Sequence, residues 1–302
     1  MRTRLLVSGT IGVLAGALTW LLMSRVNGGA GDFNWSYDAA RALLSRQDPY
    51  SNTPPGVIPY PLPAAMFAIP FAWLSRGIAG AVFFGISSAL LAFGLTKQGY
   101  LRLLVFLCYP YWAAMITVQW TPLLAASACF PLLLPLTLLK PHIGLPVAVT
   151  NPSRRGILLS LGVLAMSFVV MPSWLSRWLA QLGGYQHFFP LLIPPGFLLL
   201  LAVWKYRDPD TRLLLTASAV PQRWFYDPFI LFLIPKTRRE LIYTIALSWV
   251  PGVWRWSHDQ HTLAQVGLAV VVWLYLPMLA VVLLRRKTPD RALVNETATP
   301  LL

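Results

Sequence analysis

The chain has 302 residues, of which 57% are apolar and 11% charged, and its mean hydropathy is +0.61. A soluble globular domain is about 45–50% apolar and about 25% charged, so an ordinary soluble protein and a disordered chain are both excluded. The formal charge of +14, from 24 Lys+Arg against 10 Asp+Glu, sits beside apolar runs; that is the pattern of cytoplasmic loops under the positive-inside rule rather than of a nucleic-acid surface.

Apolar residues spread from Leu5 to Leu284, which excludes a single anchor on a soluble domain. The runs are continuous and lack the period-two alternation of a β-barrel. The expected fold is an all-α polytopic membrane protein with about 10–12 transmembrane segments. Residues 1–287 form one transmembrane domain, and 288–302 form a polar cytoplasmic tail expected to be disordered.

Met1-Arg2-Thr3-Arg4 precedes an apolar run of 19 residues, Leu5 to Met23. That is longer than the apolar stretch of a signal peptide, about 7–15 residues. It reads as an uncleaved first transmembrane helix with the N-terminus in the cytoplasm. Residues 24–60 then form an extracytoplasmic loop. Within it, 35–45 has helical spacing, with Tyr37, Ala40, Leu43 and Leu44 on one face, as in a short helix lying on the membrane surface. Asp48-Pro49-Tyr50 reads as the turn that ends it, and Pro59-Tyr60-Pro61-Leu62-Pro63 leads into the next run.

Apolar runs at 61–75, 78–95 and 101–117 are followed by one at 121–149. Residues 151–155 are expected inside, so an odd number of crossings joins 60 to 151. The stretch 121–149 then folds as two short segments, with Pro131 and Pro135 near the bend. This parity puts the Lys97/Arg102 loop outside, against the positive-inside rule. In the second half, clusters at Arg154-Arg155, Lys205/Arg207/Arg212, Lys236/Arg238/Arg239 and Arg285-Arg286-Lys287 with Arg291 hold twelve basic residues. The intervening loops hold three, Arg177, Arg223 and Arg255. Six crossings from 156 to 284 follow, and the C-terminus is inside.

Cys108 and Cys129 sit in apolar runs and read as packing residues. The sequence has no CxxC, HExxH, Walker A or GxGxxG motif, so ATP-driven transport and dinucleotide chemistry have no local support.

The loop 31–63 holds three of the ten acidic residues. An acid just after the first apolar helix, an aromatic-rich helix ending in Asp48-Pro49-Tyr50 and the Tyr60-Pro61-Leu62-Pro63 element together resemble the first loop of the GT-C superfamily of membrane glycosyltransferases. The pattern is most similar to glycosyltransferase family 87, the polyprenol-phosphate-sugar-dependent mannosyl- and arabinosyltransferase-like proteins. Val118-Gln119-Trp120-Thr121 resembles that family's GQxN/T element, with Val in place of Gly. Leu139-Lys140-Pro141-His142-Ile143-Gly144 resembles its LKPxxG element. Asp208-Pro209-Asp210 and Pro221…Tyr226-Asp227 resemble its later RDPD and P…YD elements. The resemblance covers about residues 1–240; the family's usual chain is longer.

The resemblance implies that Asp32 is the general base that takes the acceptor hydroxyl's proton. Asp32 also stands where an N-cap for the following helix would stand. Asp38 is the rival carboxylate and is spaced to pair with Arg41. Lys140 lies in an apolar run, where an ionisable residue is costly and usually functional. It suits a phosphate leaving group, with snorkelling to the interface as the alternative. His142 is a weaker candidate, off Lys140's helical face. Arg41 and Arg46 can hold a phosphate or simply form a solvated face. Arg223 and Asp227 share an outside loop and are spaced to pair with each other, and the resemblance makes Asp227 a substrate contact. His258 and His261, with Asp259 between them, could bind a metal or a phosphate. Trp254 and Trp256 suit an aromatic belt, and Trp174 to Tyr185 an amphipathic surface helix.

The expected function is transfer of a sugar, mannose or similar, from a polyprenyl-monophosphate donor to a lipid or glycan acceptor outside the cell membrane. The resemblance implies inversion at the anomeric carbon and no resident cofactor, with a divalent metal left open. Expected partners are the lipid-linked donor, the acceptor and membrane lipids, with no nucleic acid. Two alternatives stay open: a transporter or flippase for a lipid-linked anion, and a catalytically inactive relative.

Overall fold

The computed structural model describes residues 1–25, 29–51, 53–54, 57–258 and 260–285. Among these every regular element is helical, and the only strand-like pairing is one isolated antiparallel bridge, Phe188 with Gln222. The polar tail expected at 288–302 lies outside the described residues.

The first helix, α1, runs over Arg2–Arg25. After the loop come α2 (Phe33–Leu44) and α3 (Leu62–Ala68), the latter extended by a 3-10 turn at Ile69–Phe71. Helix α4 (Arg76–Leu95) returns antiparallel along α1. Their backbones meet at glycines: a Cβ on Gly12 would lie 2.9 Å from the Gly85 carbonyl oxygen, and one on Gly85 2.8 Å from that of Gly12. Small residues let helices pack this closely where no hydrophobic effect drives them together.

The central part is built from short pieces: a 3-10 helix at Tyr100–Leu107, α5 (Tyr109–Ile116), α6 (Thr121–Ser127), a 3-10 helix at Pro131–Leu138 and α7 (Pro141–Thr150). Proline stands in the first turn of α5, α6, α7 and the 131–138 helix. A missing N–H costs nothing there, so each proline both starts one piece and limits the last. Then come α8 (Arg154–Val170), bent by 90° into α9 (Trp174–Ala180), a 3-10 helix at Gly196–Lys205, α10 (Pro209–Ser218) and a 3-10 helix at Asp227–Leu233. The chain closes with α11 (Arg238–Trp256) and a helix over Leu263–Leu284. That last helix comprises α12 (Leu263–Val270), a π turn at Val271–Tyr275 and α13 (Leu276–Leu284).

Three helices are long and apolar enough to cross a membrane, Arg2–Arg25, the 76–98 helix and Leu263–Leu284, and the bent α8–α9 pair makes a fourth if it is one span. The fold is therefore that of an all-helical membrane protein by length and composition.

Polar contacts define two ends. At one, Arg4 donates to the Phe93 carbonyl (2.8 Å) and Thr96 (3.2 Å), and Lys97 donates to the Cys129 carbonyl. Arg102 donates to the Leu233 carbonyl (2.9 Å). Arg285 bonds Asp210, Glu240 and the Ile234 carbonyl, and Lys236 pairs with Asp210 at 2.6 Å. Lys205 donates to the carbonyls of Val282, Leu283 and Arg285, the orphan acceptors at the end of α13. At the other end lie α2, α3 and α9. Arg76 pairs with Asp38 (2.6 Å) and Arg177 with Asp48, while Trp178 donates to the Pro59 carbonyl (3.0 Å).

This arrangement changes the expected path in the first half. The Lys97/Arg102 segment lies at the end that holds Arg4 and Arg285, not with the first loop. The reason is that 61–75 does not traverse the bundle: α3 is seven residues long, turns back at Ile69–Phe71 and packs on α2. The stretch 121–149 makes up the difference, with three pieces instead of two. It runs from Gln119 to Cys129, back to Lys140, and down α7 to Ser153, whose hydroxyl donates to the Pro131 carbonyl. The number of segments that run between the two ends from 60 to 151 stays odd because the two changes offset each other.

Candidate active site: a four-segment polar network

Residues 29–32 dock on residues 117–119. The Asp32 backbone N–H donates to the Thr117 carbonyl at 2.8 Å. Gly31 makes this approach possible, with φ +53° and its α-carbon so close that a Cβ would overlap the Thr117 carbonyl. On the other strand of the contact Val118 sits at φ +50°, fully buried. A β-branched residue in that region is strained. Asp32 occupies the N-cap position of α2, but its side chain accepts no capping bond. The helix start is held instead by Asn34, whose Oδ1 accepts from the Ala30 N–H at 2.7 Å. Capping does not account for Asp32.

Aromatic packing fixes the floor. Phe33 stacks on Phe83 with centroids 4.3 Å apart, Trp120 meets Phe83 at 4.8 Å, and Tyr60 meets Trp120 at 5.8 Å. Phe33, Phe83 and Trp120 are fully buried and interlock by ring contacts. Phe83 lies seven residues along α4 from Arg76. At 1.5 Å rise per residue, the floor is therefore about 10 Å below the level of the Arg76–Asp38 pair.

Above that floor four segments converge. Gln119 donates through Nε2 to Asp32 Oδ2 and accepts through Oε1 from Lys140 Nζ at 3.0 Å. Lys140 pairs with Asp227 Oδ1 at 2.8 Å, and both side chains are buried. Its ammonium lies 4.8 Å from the Tyr226 ring centroid. The Arg223 backbone N–H donates to Asp227 Oδ2 at 2.9 Å, and the Tyr226 hydroxyl donates to Asp32 Oδ2 at 3.4 Å. An unpaired charge here would be very costly, and pairing Lys140 with Asp227 offsets part of that cost.

Asp32, Lys140 and Tyr226 line one cavity of about 450 Å³, which also takes in Trp35, Tyr60, His142, Trp178, Tyr185 and Arg223, while Gln119 and Asp227 lie fully buried behind that lining. Its walls are aromatic and its polar groups few, as in sites for organic ligands. His142 bonds the Tyr185 hydroxyl through Nε2 at 3.2 Å. Burial pushes the Tyr60 and Tyr185 phenols well above their ordinary range, and the nearby Asp32 and Asp227 carboxylates push the same way. Both stay neutral donors. Arg223 makes no ion pair among the described residues, so it is the cavity's uncommitted cation.

Asp32, Lys140, Asp227, Arg223 and His142 are thus brought together. Two expected pairings differ. Asp227 pairs with Lys140, while Arg223 reaches it only through its backbone. Asp38 pairs with Arg76, because Arg41 turns to the Tyr37 hydroxyl (3.3 Å). Burial outweighs Arg76 and Arg41 and raises the Asp38 carboxyl above its usual value. Neither Asp38 nor Arg41 lines the cavity. His258 and His261 also lie outside it, packed against Trp254 on the turn after α11, and Asp259 lies outside the described residues. Among the described residues no group of three or more His, Cys, Asp or Glu is placed to hold a metal.

Gln119, Tyr226, Tyr60 and Tyr185 were not among the sequence candidates. Gln119 and Tyr226 stand inside elements that carried the resemblance, next to residues that were singled out. Tyr185 had no such signal, since only the fold brings it to His142. Comparison with family models, curated proteins and solved structures gives no match to this chain.

Proposed function

We propose that the protein is an integral membrane glycosyltransferase that moves a sugar from a polyprenyl-monophosphate donor to a lipid or glycan hydroxyl on the extracytoplasmic face. The observation that carries this reading is the meeting of the first-loop acid with the elements around Gln119, Lys140 and Asp227 in one recessed cavity. Those are the elements that resemble glycosyltransferase family 87, and they lie 87 residues apart in each of the bonds Gln119–Asp32 and Lys140–Asp227.

In this reading the acceptor hydroxyl gives its proton to Asp32 as its oxygen bonds to the anomeric carbon. The bond from that carbon to the phosphate oxygen breaks, and its electron pair leaves with the polyprenyl phosphate. Arg223 meets the developing charge directly. Lys140, held by Asp227, adds positive potential from below. The aromatic walls exclude water and offer apolar faces to the sugar ring. The neutral phenols of Tyr60 and Tyr185 donate hydrogen bonds without competing as anions.

The membrane reading is of twelve passes, six in each direction, with Arg4 and Arg285 at the basic, cytoplasmic end. Several passes are of only seven to ten helical residues. Each is shorter than the about 20 helical residues that span a hydrocarbon core, so this reading needs a locally thin bilayer or water beside these pieces. A flippase reading draws on the buried Lys140–Asp227 pair, but the other ion pairs stand at the two ends of the bundle, whereas transporters gather them near the midplane.

Membranes carrying the protein are given a radiolabelled polyprenyl-phosphate sugar. Transfer by the parent and a loss of about a hundredfold or more in Asp32→Asn are expected. Equal transfer by the two overturns the role of Asp32, and no transfer from any such donor overturns the enzyme reading.

A further inference from the structure

Among the groups around the cavity, Gln119 touches both its charged halves. Its orientation is not a free choice. Lys140 has only donors and ionised Asp32 only acceptors. The Gln119 amide must therefore give Oε1 to Lys140 and Nε2 to Asp32, as it does. Lys140 is itself fixed on two further sides, by Asp227 Oδ1 and by the face of Tyr226. Asp227 is fixed by the Arg223 backbone N–H. The chain of contacts runs from a loop N–H through a buried ion pair to the amide and ends on one oxygen of Asp32. Tyr226 donates to that same oxygen, Oδ2, and among the described residues none donates to Oδ1.

We propose that Gln119 is a positioning residue that couples the Lys140–Asp227 pair to Asp32 and turns Oδ1 toward the cavity to receive the acceptor's proton. The kinetic part rests on the transferase reading above, whereas the coupling itself does not. Val118, strained at φ +50° immediately before it, is the backbone cost of aiming this side chain. The titratable and charged groups around Asp32 are Lys140, Asp227, Tyr226, Tyr60, Tyr185, His142 and Arg223. Among the described residues Gln119 is the one uncharged side chain that hydrogen-bonds both Asp32 and Lys140, whereas Tyr226 hydrogen-bonds Asp32 and meets Lys140 only with its ring face.

The test uses the full chain in membranes, with Gln119→Leu and the shorter Gln119→Asn, which cannot span both partners. Dicyclohexylcarbodiimide reacts with protonated carboxyls in apolar surroundings, and its addition to Asp32 is followed against pH by peptide mass spectrometry. Without the amide donor, labelling of Asp32 is expected to persist to a pH about one unit higher than in the parent. With an active donor, kcat is expected to fall about tenfold or more with KM within about twofold. Gln119→Glu, which places a second carboxyl against Asp32, is expected to hold a shared proton and extend labelling further still. An unchanged Asp32 profile in any of these variants that keeps its unfolding temperature overturns the proposal. If the parent transfers no sugar, the transferase reading fails and the labelling profile alone decides the coupling.

Discussion

Lys140 and Asp227 form a buried ion pair, and each offsets the cost of burying the other. Removing one strands its partner. Lys140→Met is expected to destabilise the protein by about 3–5 kcal/mol, read as a large drop in thermal midpoint in detergent. The double variant Lys140→Met/Asp227→Asn, which leaves an acceptor for the Arg223 N–H, is expected to recover most of that loss without recovering transfer. A double variant as unstable as the single one would contradict this account of the pair. Val118 offers a second contrast. Alanine there loses packing and keeps the strained φ, while glycine loses the packing and relieves about 1–2 kcal/mol of strain. Val118→Gly is therefore expected to unfold no earlier than Val118→Ala, the reverse of the order inside a helix. At this scale charge scarcity was the legible signal: ten acids in 302 residues make each one conspicuous. Gln119 and Tyr185 carry no charge, and uncharged polar residues are too common in loops for their type to single them out.

Helix α9, with its C-cap residue Gln181, lies across the first loop and bonds it three times: Arg177 to Asp48, Trp178 to the Pro59 carbonyl and Gln181 to the Tyr50 carbonyl. It acts as a strut over the cavity, which Trp178 also lines. Trp178→Phe removes one donor and little area. Local opening of the loop is expected to become easier by about 1 kcal/mol, seen as roughly fivefold faster limited proteolysis between 46 and 60. An unchanged cutting rate would mean that the strut bears no load. The long elements were readable from sequence because α1, α4 and 263–284 are unbroken apolar runs. The short ones were not. A run such as 121–149 looks uniform, and nothing local says that it folds three ways rather than two. Prolines 122, 131, 135, 141 and 146 mark breaks, but each proline suits a helix start and a kink equally well.

Across the whole molecule, the proposed orientation rests on where the basic residues stand. Arg4, Lys97, Arg102, Lys205, Lys236 and Arg285 gather at one end, and the cavity opens toward the other. The Lys97/Arg102 segment conflicts with the positive-inside rule only if 61–75 is a pass. With α3 turning back beside α2, the conflict disappears. Cysteine labelling checks this in intact cells, in a background with Cys108 and Cys129 replaced by alanine. Ser51→Cys is expected to react with an impermeant maleimide, and Gln98→Cys only after permeabilisation. Reaction of both from outside would restore the rejected path.

The central claim is that the cavity over Asp32, Gln119 and Lys140 holds the sugar phosphate. An experimental structure of the purified protein with a non-hydrolysable polyprenyl-phosphate sugar tests it most directly. The account predicts the sugar against Asp32 and the phosphate beside Arg223. Lipid density at another place, such as the apolar groove between α1 and α4, with this cavity empty, would contradict it.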